Sequence, residues 1–270
     1  MLDFLKAAKE LVMRNRCVLV LSAFLAGCIV GGSAVDQSKA ASLTHIQIVA
    51  IEGPPLSGSG VSKIRLSGSE LVVGGTSLGS GSLLIVGGVM MLADLPEANR
   101  QSAAASKNIE SLLDDKGVWE PTLMIAEEAM RQLTVSSNIP VNVDAALKQL
   151  PGVEKRDATF FMENWMAPLR AWYNESPSAF VYSGQSRSGA VLEVGLLNYE
   201  LTSGSLLVQV VMKLIDPSTG MVLANARNFS NTSVESVDQL FEDDAISYKQ
   251  FFQTIAATLV EDCIDDLGLH

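Results

Sequence analysis

The most regular hydrophobic pattern in the chain lies in residues 190–229, where three stretches alternate in the manner of β-strands. The middle stretch has one face that is entirely apolar, formed by Leu206, Val208, Val210, Met212 and Leu214. Its other face mixes Gln209 and Lys213 with apolar residues, so we expect that face to be only partly covered. Turn-forming residues separate the stretches at 202–204 and 216–220. The pattern predicts a three-stranded antiparallel meander with one buried face.

Two further segments are predicted to join or cover this sheet. Residues 246–266 repeat apolar side chains at helical spacing, namely Tyr248, Phe252, Ile255, Leu259 and Cys263. We expect this helix to lie on the buried face, because that face must leave water and the helix is its nearest apolar partner in sequence. The stretch 43–51 is rich in β-branched residues and predicts an N-terminal strand. Residues 178–182 are a candidate edge strand.

Four segments between these strands have the spacing of helices. Residues 99–114 predict a mostly polar helix. Pro121 opens a stronger helix, since proline is well accommodated in a first turn; its apolar face is Ile125, Ala129, Met130 and Leu133. Residues 144–150 predict a short helix, and residues 157–175 a longer one that Pro168 should kink. The elements together predict an α+β domain in which an antiparallel sheet packs against several helices.

Residues 71–93 form a run of 23 uncharged residues that includes six glycines. Three structures fit this composition: a strand–turn–helix buried in the domain, a membrane-inserting hairpin or oligomer-packing segment, and a flexible loop with only 83–93 ordered. Glycine adds no side-chain area to a monomer core, whereas a partner, another copy or lipid would add apolar contact. We therefore predict that the segment mediates association. Its candidate contact residues are Gly75, Gly79, Gly87 and Gly88.

Composition and charge argue against several functions. The chain has 19 Lys and Arg against 30 Asp and Glu, for a net charge of −11. Phosphate contacts need clustered basic residues, so no nucleic-acid partner is expected. The sequence contains no Walker loop, dinucleotide fingerprint or CxxC pair, and we predict no cofactor. His45 and His270 are the only histidines and neither is near a cysteine or a second histidine, so no metal site is predicted.

Four other patterns carry weak signals for chemistry. Residues 75–79 match the nucleophile elbow G-x-S-x-G, but a poor helix start follows and the only later histidine ends the chain. Acidic groups at 242–244 and 261–266 are typical of solvated helix surface rather than of a cation loop. Cys263 lies on an apolar stripe, which predicts a buried, unreactive thiol. The aromatic face of 157–175 favours a core-facing stripe over a ligand groove. No catalytic residue is predicted.

The first 30 residues have the three-part layout of a secretory signal. Four basic side chains precede an uncharged apolar stretch, and the uncharged residues 17–30 number 14, short of the ~20 needed to span a bilayer. The stretch ends in Leu25-Ala26-Gly27-Cys28, which resembles a bacterial lipobox, the signal at which a lipoprotein precursor is lipidated on cysteine and cleaved. A plain cleaved signal and a short membrane anchor are the alternatives.

The resemblance implies that residues 1–27 are a signal peptide and that Cys28 is the acylated N-terminus, carrying palmitate or similar chains. Residues 28–42 would then be a tether, and residues 43–270 a single periplasmic domain. Ile29 occupies the position at which aspartate retains such lipoproteins in the inner membrane, so the resemblance implies the outer membrane. Several acyl chains would give stable anchoring, which one chain does not.

The meander is loosely similar to the periplasmic domain of the curli-assembly, secretion-channel lipoproteins. In those proteins a hairpin with a D-x-x-T-G turn joins two apolar strands, and helices pack on the sheet. The corresponding turn in this chain is Asp216-Pro217-Ser218-Thr219-Gly220.

Two classes of function fit these observations. The favoured one is a non-enzymatic outer-membrane lipoprotein, a scaffold or accessory of an envelope assembly or export machine. Its partners would be the membrane, through the lipid anchor, and other envelope proteins or copies of itself. The alternative is a periplasmic hydrolase whose site is assembled from dispersed polar residues. A concave pocket holding mutually hydrogen-bonded Ser, Asp and Glu would favour the hydrolase.

Overall fold

A six-stranded sheet lies at the centre of the fold. The computed structural model describes residues 32–58, 63–66, 69–72, 113, 119–151, 153, 165, 167–182, 189–202, 204–241 and 245–269. The sheet strands are Ile46–Ala50 (β1), Ser57–Gly58 (β2), Val141–Val143 (β5), Ala190–Leu201 (β6), Ser205–Ile215 (β7) and Val222–Ser233 (β8). Five of them lie in the order β5-β1-β6-β7-β8, and β2 pairs with the far end of β6. Lys63–Leu66 (β3) and Ser69–Val72 (β4) form a separate antiparallel ladder.

The strands β6, β7 and β8 pair antiparallel in chain order, as the alternating pattern predicts. All five residues of the apolar face of β7 are fully buried. The turn between β7 and β8 is closed by Asp216, whose carboxylate accepts a hydrogen bond from the Ser218 amide at 2.8 Å. Gly220 has φ +73°, a conformation that favours glycine. The other face of β7 is partly covered, because Leu207 and Gln209 are half-buried while the residues further along are buried.

The sheet as a whole is mixed, not antiparallel as predicted. β1 runs parallel to both of its neighbours, β5 and β6. Its residues Ile46, Ile48, Val49 and Ala50 are fully buried, since the strand lies inside the sheet and is covered on both faces. A parallel pair needs a long crossover, and the chain between β1 and β6 supplies one. The pattern within a single strand carries no information about its direction.

One face of the sheet packs against two long helices. They are Pro121–Ser136 (α2) and Ile246–Leu267 (α5), and both begin close to their predicted positions. The predicted stripe of α5 is buried in full, in contact with the apolar face of β7. In α2, Ile125, Ala129 and Leu133 are buried and Met130 is half-buried. Packing of the C-terminal helix on the meander is therefore as predicted.

The opposite face packs against a shorter helix, Ala167–Asn174 (α3). Trp165, Leu169 and Trp172 are buried against this face, which confirms the core-facing interpretation of the aromatic stripe for these residues. Pro168 is the second residue of α3. Residues 157–164 and 166 of the predicted longer helix lie outside the described residues, as do 99–112 and 114 of the first predicted helix.

Two predicted elements are wrong. Residues 144–150 are not a helix; the chain there runs beside β1, with the Asp144 amide donating to the Ile48 carbonyl at 2.9 Å and the Lys148 amide to Ala50 at 2.8 Å. Seven residues are too few for periodicity to separate helix from extended chain, and the backbone of this segment bonds to β1 on the side where β5 pairs with it. Residues 178–182 form no strand; the Ser178 and Tyr182 side chains bind the sheet at Glu193 instead.

Part of the predicted tether lies against the domain. Ser33 forms an antiparallel bridge with Asn225 on the outer edge of β8. The Val35 amide donates to the Leu267 carbonyl at 3.0 Å, and its side chain is only 6% exposed. The chain then forms a short helix, Gln37–Ser42 (α1), with Asp36 capping its first turn. A last short helix, Val237–Phe241 (α4), precedes α5. Within the described ranges, no helix is long and apolar enough to cross a membrane.

Candidate functional site

The most unusual buried group is an ion pair between β6 and β7. Glu193 and Lys213 are direct cross-strand partners, and both side chains are fully buried. The Lys213 Nζ lies 3.8 Å from the Glu193 Oε2. Residues of these types are seldom fully buried unless they are paired. The pair lies on the sheet face that α3 covers, which makes it the strongest candidate site in the described part of the chain.

Neutral donors complete the shell of the carboxylate. Its Oε2 accepts a hydrogen bond from the Trp172 indole Nε1 at 2.7 Å. Its Oε1 accepts one from the Tyr182 hydroxyl at 2.7 Å and another from the Ser178 hydroxyl. Both oxygens of the Glu193 carboxylate therefore accept hydrogen bonds from side chains inside the fold.

The ammonium is satisfied by the backbone of the segment that covers it. Lys213 Nζ donates to the Trp172 carbonyl at 2.7 Å and to the Glu175 carbonyl at 3.1 Å. It also lies 5.5 Å from the centroid of the Trp172 ring, a cation–π distance. Donors and acceptors from residues 172–182 thus converge on two charges of the sheet, and these contacts attach the segment to it.

A glycine makes room for this arrangement. A Cβ at Gly195, two residues after Glu193 on the same strand, would lie 2.7 Å from the Trp172 Cη2 and 2.8 Å from its Cζ3. A real Cβ does not approach a carbon so closely. The missing side chain at Gly195 therefore leaves room for the indole of Trp172, whose N–H donates to the Glu193 carboxylate.

Burial shifts the titration of the groups around the pair. Burial lowers the pKa of Lys213, and the nearby Glu193 opposes that shift. Burial also raises the pKa of Tyr182, and the Glu193 charge raises it further. Tyr182 therefore stays protonated and keeps donating its hydrogen bond at physiological pH. Ser178 donates directly to the carboxylate. The contacts of this cluster fix the covering segment to the sheet.

A second polar contact lies inside an aromatic cluster on the α5 face. The Tyr248 hydroxyl donates to the Tyr199 hydroxyl at 2.6 Å, and the Trp119 indole donates to the same oxygen at 3.1 Å. Phe241 stacks on Tyr248 at 5.0 Å between ring centroids, and Phe252 meets Tyr199 edge-on at 5.1 Å. Burial raises the pKa of Tyr248 well above its ordinary value. This cluster joins α4, α5 and β6 in the core.

Most of the predicted site residues fall outside the described residues. These are the lipidation candidate and the glycines of the association segment: Cys28, Gly75, Gly79, Gly87 and Gly88. The nucleophile-elbow match at 75–79 also lies outside the described residues, and so do the acidic residues 242–244. Their predicted roles stay predictions.

The structure describes the remaining candidates, His45 and the acidic residues at 261–266. His45 is half-buried just before β1, and its ring fills the space beside Gly189 where a Cβ would lie 2.1 Å from the ring Cε1. Asp266 is exposed and accepts a hydrogen bond from Asn228 at 2.9 Å, and the other acidic residues at 261–266 are exposed. Among the described residues, no three His, Cys, Asp or Glu side chains are grouped as metal ligands.

Cys263 is buried, as its place on the apolar stripe predicts. Burial raises the pKa of its thiol to about 12, which the Asn228 hydrogen bond opposes and the Asp266 and Asp262 charges reinforce. Above about pH 8.5 the unfolded chain loses this proton while the folded protein keeps it. The stability that the thiol contributes is therefore complete below about pH 8.5 and is lost as the pH rises toward 12.

We expect this titration to appear in a comparison of the wild type with Cys263→Ala. From pH 8.5 to 10 the wild type should lose about 2 kcal/mol more unfolding free energy than the variant, since each pH unit in this window corresponds to about 1.4 kcal/mol. Urea unfolding at both pH values measures the difference. Tyr182, Tyr248 and Lys213 are present in both proteins, so their contributions to the pH dependence cancel when the two are compared. Equal pH dependence in the two proteins would show that the thiol is not protected from ionisation.

The Glu193–Lys213 pair was not predicted as a site, although the sequence carries a signal for it. Lys213 is the one charged residue of its strand, Glu193 lies within the apolar first half of the preceding strand, and the two strands are adjacent in a predicted hairpin. Opposite charges at facing positions of an antiparallel pair are favourable. A bulge between Leu196 and Asn198 shifts the register, so counting from the turn gives the pairing only to within one residue.

No family model and no curated protein matches the sequence. Several solved structures are similar to it in part. Two PelC dodecamers from Paraburkholderia phytofirmans share 12% identity with the chain. One of them, a point variant, covers 88% of this chain and 95% of its own with a TM-score of 0.35, and the other covers 87% and 94% with a TM-score of 0.36. A Xanthomonas campestris protein of the DUF330 family, also at 12% identity, covers 84% and 88% with a TM-score of 0.34. At these scores the similarities assign no family.

Proposed function

We propose that the chain is a non-enzymatic lipoprotein of the bacterial outer membrane, whose domain serves as a scaffold or accessory of an envelope assembly or export machine. The observation that carries the proposal is that the two buried charges make all their described contacts inside the fold. Glu193 and Lys213 hold the covering segment to the sheet through hydrogen bonds and an ion pair that are all internal to the fold. These internal contacts support a structural role for the pair, and we propose that the domain acts through its surface.

The N-terminal sequence supports the location. Leu25-Ala26-Gly27-Cys28 matches a lipobox, and Ser33, five residues after Cys28, is paired with Asn225 of the domain. A lipid on Cys28 would therefore be followed almost at once by folded protein. Such an arrangement suits a domain that works at the membrane surface, alongside other envelope components.

The test of the anchor is Cys28→Ser. We expect the variant to remain an uncleaved precursor or to become soluble, because the acceptor of the lipid is lost. Membrane fractionation and the mass of the mature protein measure both outcomes. The matched control is Cys17→Ser, which removes a thiol from the signal region and should leave maturation and fractionation unchanged. Normal membrane attachment of the Cys28 variant would contradict the proposal.

The role itself is tested by crosslinking in cells, followed by identification of the envelope proteins that co-purify. Specific crosslinks to components of one assembly or export system, lost in the Cys28→Ser variant, are the expected result. A protein that acquires no crosslinked partner and instead labels with a hydrolase-directed covalent probe would contradict the scaffold role and favour the alternative.

A further inference from the structure

The sheet ends on one side in a long strand with an uncharged second half. Among the described strands, β8 is the outer one on this side, and its 12 residues contrast with the three of β5 at the other edge. Proteins usually shorten or charge an exposed edge, or interrupt it with proline or a bulge, because its backbone groups would otherwise pair with another strand. Arg227 is the one charged residue of β8, and residues 228–233 contain neither a charge nor a proline. The register of β8 with β7 is also regular from Ala224 onward.

The backbone of β8 directs amide and carbonyl groups away from β7 at every second residue. The Asn225 amide shows which residues these are, since it donates to the Ser33 carbonyl at 3.1 Å, on the side away from β7. Backbone groups alternate between the two sides of a strand. The outward residues after Asn225 are therefore Arg227, Phe229, Asn231 and Ser233. In the described part of the chain, no strand pairs with these four residues.

This free part of the edge is bounded at both ends. Ser33 covers the edge at Asn225, through a bridge that is a single residue long. At the other end the strand stops at Ser233, and the amide that follows bonds back to the turn between β6 and β7 at 2.9 Å. Residues 227–233 thus remain open to a partner strand.

A second copy of the same segment fits these limits in one antiparallel register. Centred on Ser230, this register places Arg227 opposite Ser233 of the second copy and Phe229 opposite Asn231 of the second copy. All four outward residues of each copy then lie in hydrogen-bonded pairs. A register centred on Phe229 or on Asn231 leaves an outward residue of each copy unpaired.

The same register brings complementary side chains together. The Phe229 side chain is 66% exposed, and Phe229 of the second copy would be its diagonal neighbour on the same face, within reach of an aromatic ring. Glu235 is exposed and is the first charged residue after Arg227 in the chain. Because the strands are antiparallel, each Arg227 lies beside the strand end that leads to Glu235 of the second copy. Opposite charges therefore attract at both ends of the paired segment.

We propose that two copies of the protein pair through residues 227–233, antiparallel and centred on Ser230, so that one sheet continues across both molecules. This surface is separate from the predicted association segment at 71–93. Seven residues a side are fewer than the roughly 20–30 of a standard stable interface. The pair is therefore weak and forms where the protein is concentrated, whereas the dilute solutions used for unfolding contain mainly monomer.

Disulfide cross-linking of the full-length protein tests the register. In the proposed pair the two Ser230 residues face each other at a position without hydrogen bonds between them, where Cα atoms lie about 4.5 Å apart, a distance that a disulfide bridges. The matched control is Ser233→Cys, because Ser233 is more exposed than Ser230 but would lie about 20 Å from its counterpart. Burial protects Cys263, and the unsubstituted protein gives the background.

After mild oxidation at high protein concentration, we expect about fivefold more covalent dimer from Ser230→Cys than from Ser233→Cys on a non-reducing gel. Adding Asn231→Pro to Ser230→Cys should abolish the dimer, since proline removes an outward amide and leaves the bonds to β7 in place. Circular dichroism checks that this proline variant is folded, and the comparison of the two cysteine variants stands without it.

Three results would each overturn the pairing: no dimer from Ser230→Cys, equal yields from the two cysteine variants, or a dimer that persists in the folded proline variant. Cross-linking of Ser230→Cys in cells to a different protein, and not to itself, would also overturn it and would assign the edge to an extended segment of that protein.

Discussion

Replacing Lys213 by methionine is expected to lower the free energy of unfolding by about 3–5 kcal/mol, the cost of removing one partner from a buried ion pair. Methionine matches the length of the lysine stem but leaves the Glu193 carboxylate without its counter-charge. The Trp172 and Glu175 carbonyls also lose the donor that the Nζ supplies. Urea unfolding monitored by circular dichroism measures the loss.

A double-mutant cycle separates this effect from a simple loss of packing. Glu193→Leu alone should be destabilising too, because it leaves the buried Lys213 ammonium without its counter-charge. The double variant Glu193→Leu with Lys213→Met removes both charges and should be more stable than either single variant. A cost below about 1 kcal/mol for Lys213→Met, which is the range of exposed pairs, would show that the pair is accessible to water.

Replacing Val210 by aspartate is expected to unfold the domain. Val210 is fully buried at the centre of β7, between Leu196 on β6 and Asn228 on β8, and α5 covers it. A carboxylate there would have no partner. Burying an unpaired charge is among the changes that can lower the free energy of unfolding by more than about 4 kcal/mol. The total stability of a domain is about 5–15 kcal/mol. Loss of the cooperative thermal transition is the expected measurement.

The matched control is Phe229→Asp. It introduces the same charge on the neighbouring strand, at a side chain that is 66% exposed. We expect its effect to stay within about 0.5 kcal/mol, as for most exposed positions. A folded, cooperative Val210→Asp variant would mean that the α5 stripe does not cover this face, contrary to the packing described above.

Local pattern was sufficient for the elements that a hairpin or an amphipathic stripe defines. The strands β6 to β8 and the helix α5 follow from alternation, turn residues and helical spacing, because each is adjacent in sequence to its packing partner. The buried Cys263 follows from the same stripe. The buried position of Trp172 follows too, since helical spacing placed it on a core-facing side.

The hydrophobic pattern could not predict contacts between segments that are far apart in the sequence. The parallel placement of β1 between β5 and β6 depends on a crossover through the intervening chain, which no spacing within β1 reveals. Residues 144–150 contact the edge of β1 through their backbone, so their side chains carry no trace of that pairing. The role of Glu193 depends on donors at Trp172, Ser178 and Tyr182, which lie up to 21 positions away along the chain. Nothing in their identity shows that they converge.

The hydrogen bond between Val35 and Leu267 brings the two ends of the folded unit side by side. Adjacent ends are the geometry in which a chain can be closed and reopened elsewhere without changing its contacts. They also mean that any protein fused after the last residue would emerge next to the point where the N-terminal segment leaves. A reporter fused after Leu269 would therefore lie close to Val35, and one placed in the loop between β6 and β7 would lie at the other end of the sheet.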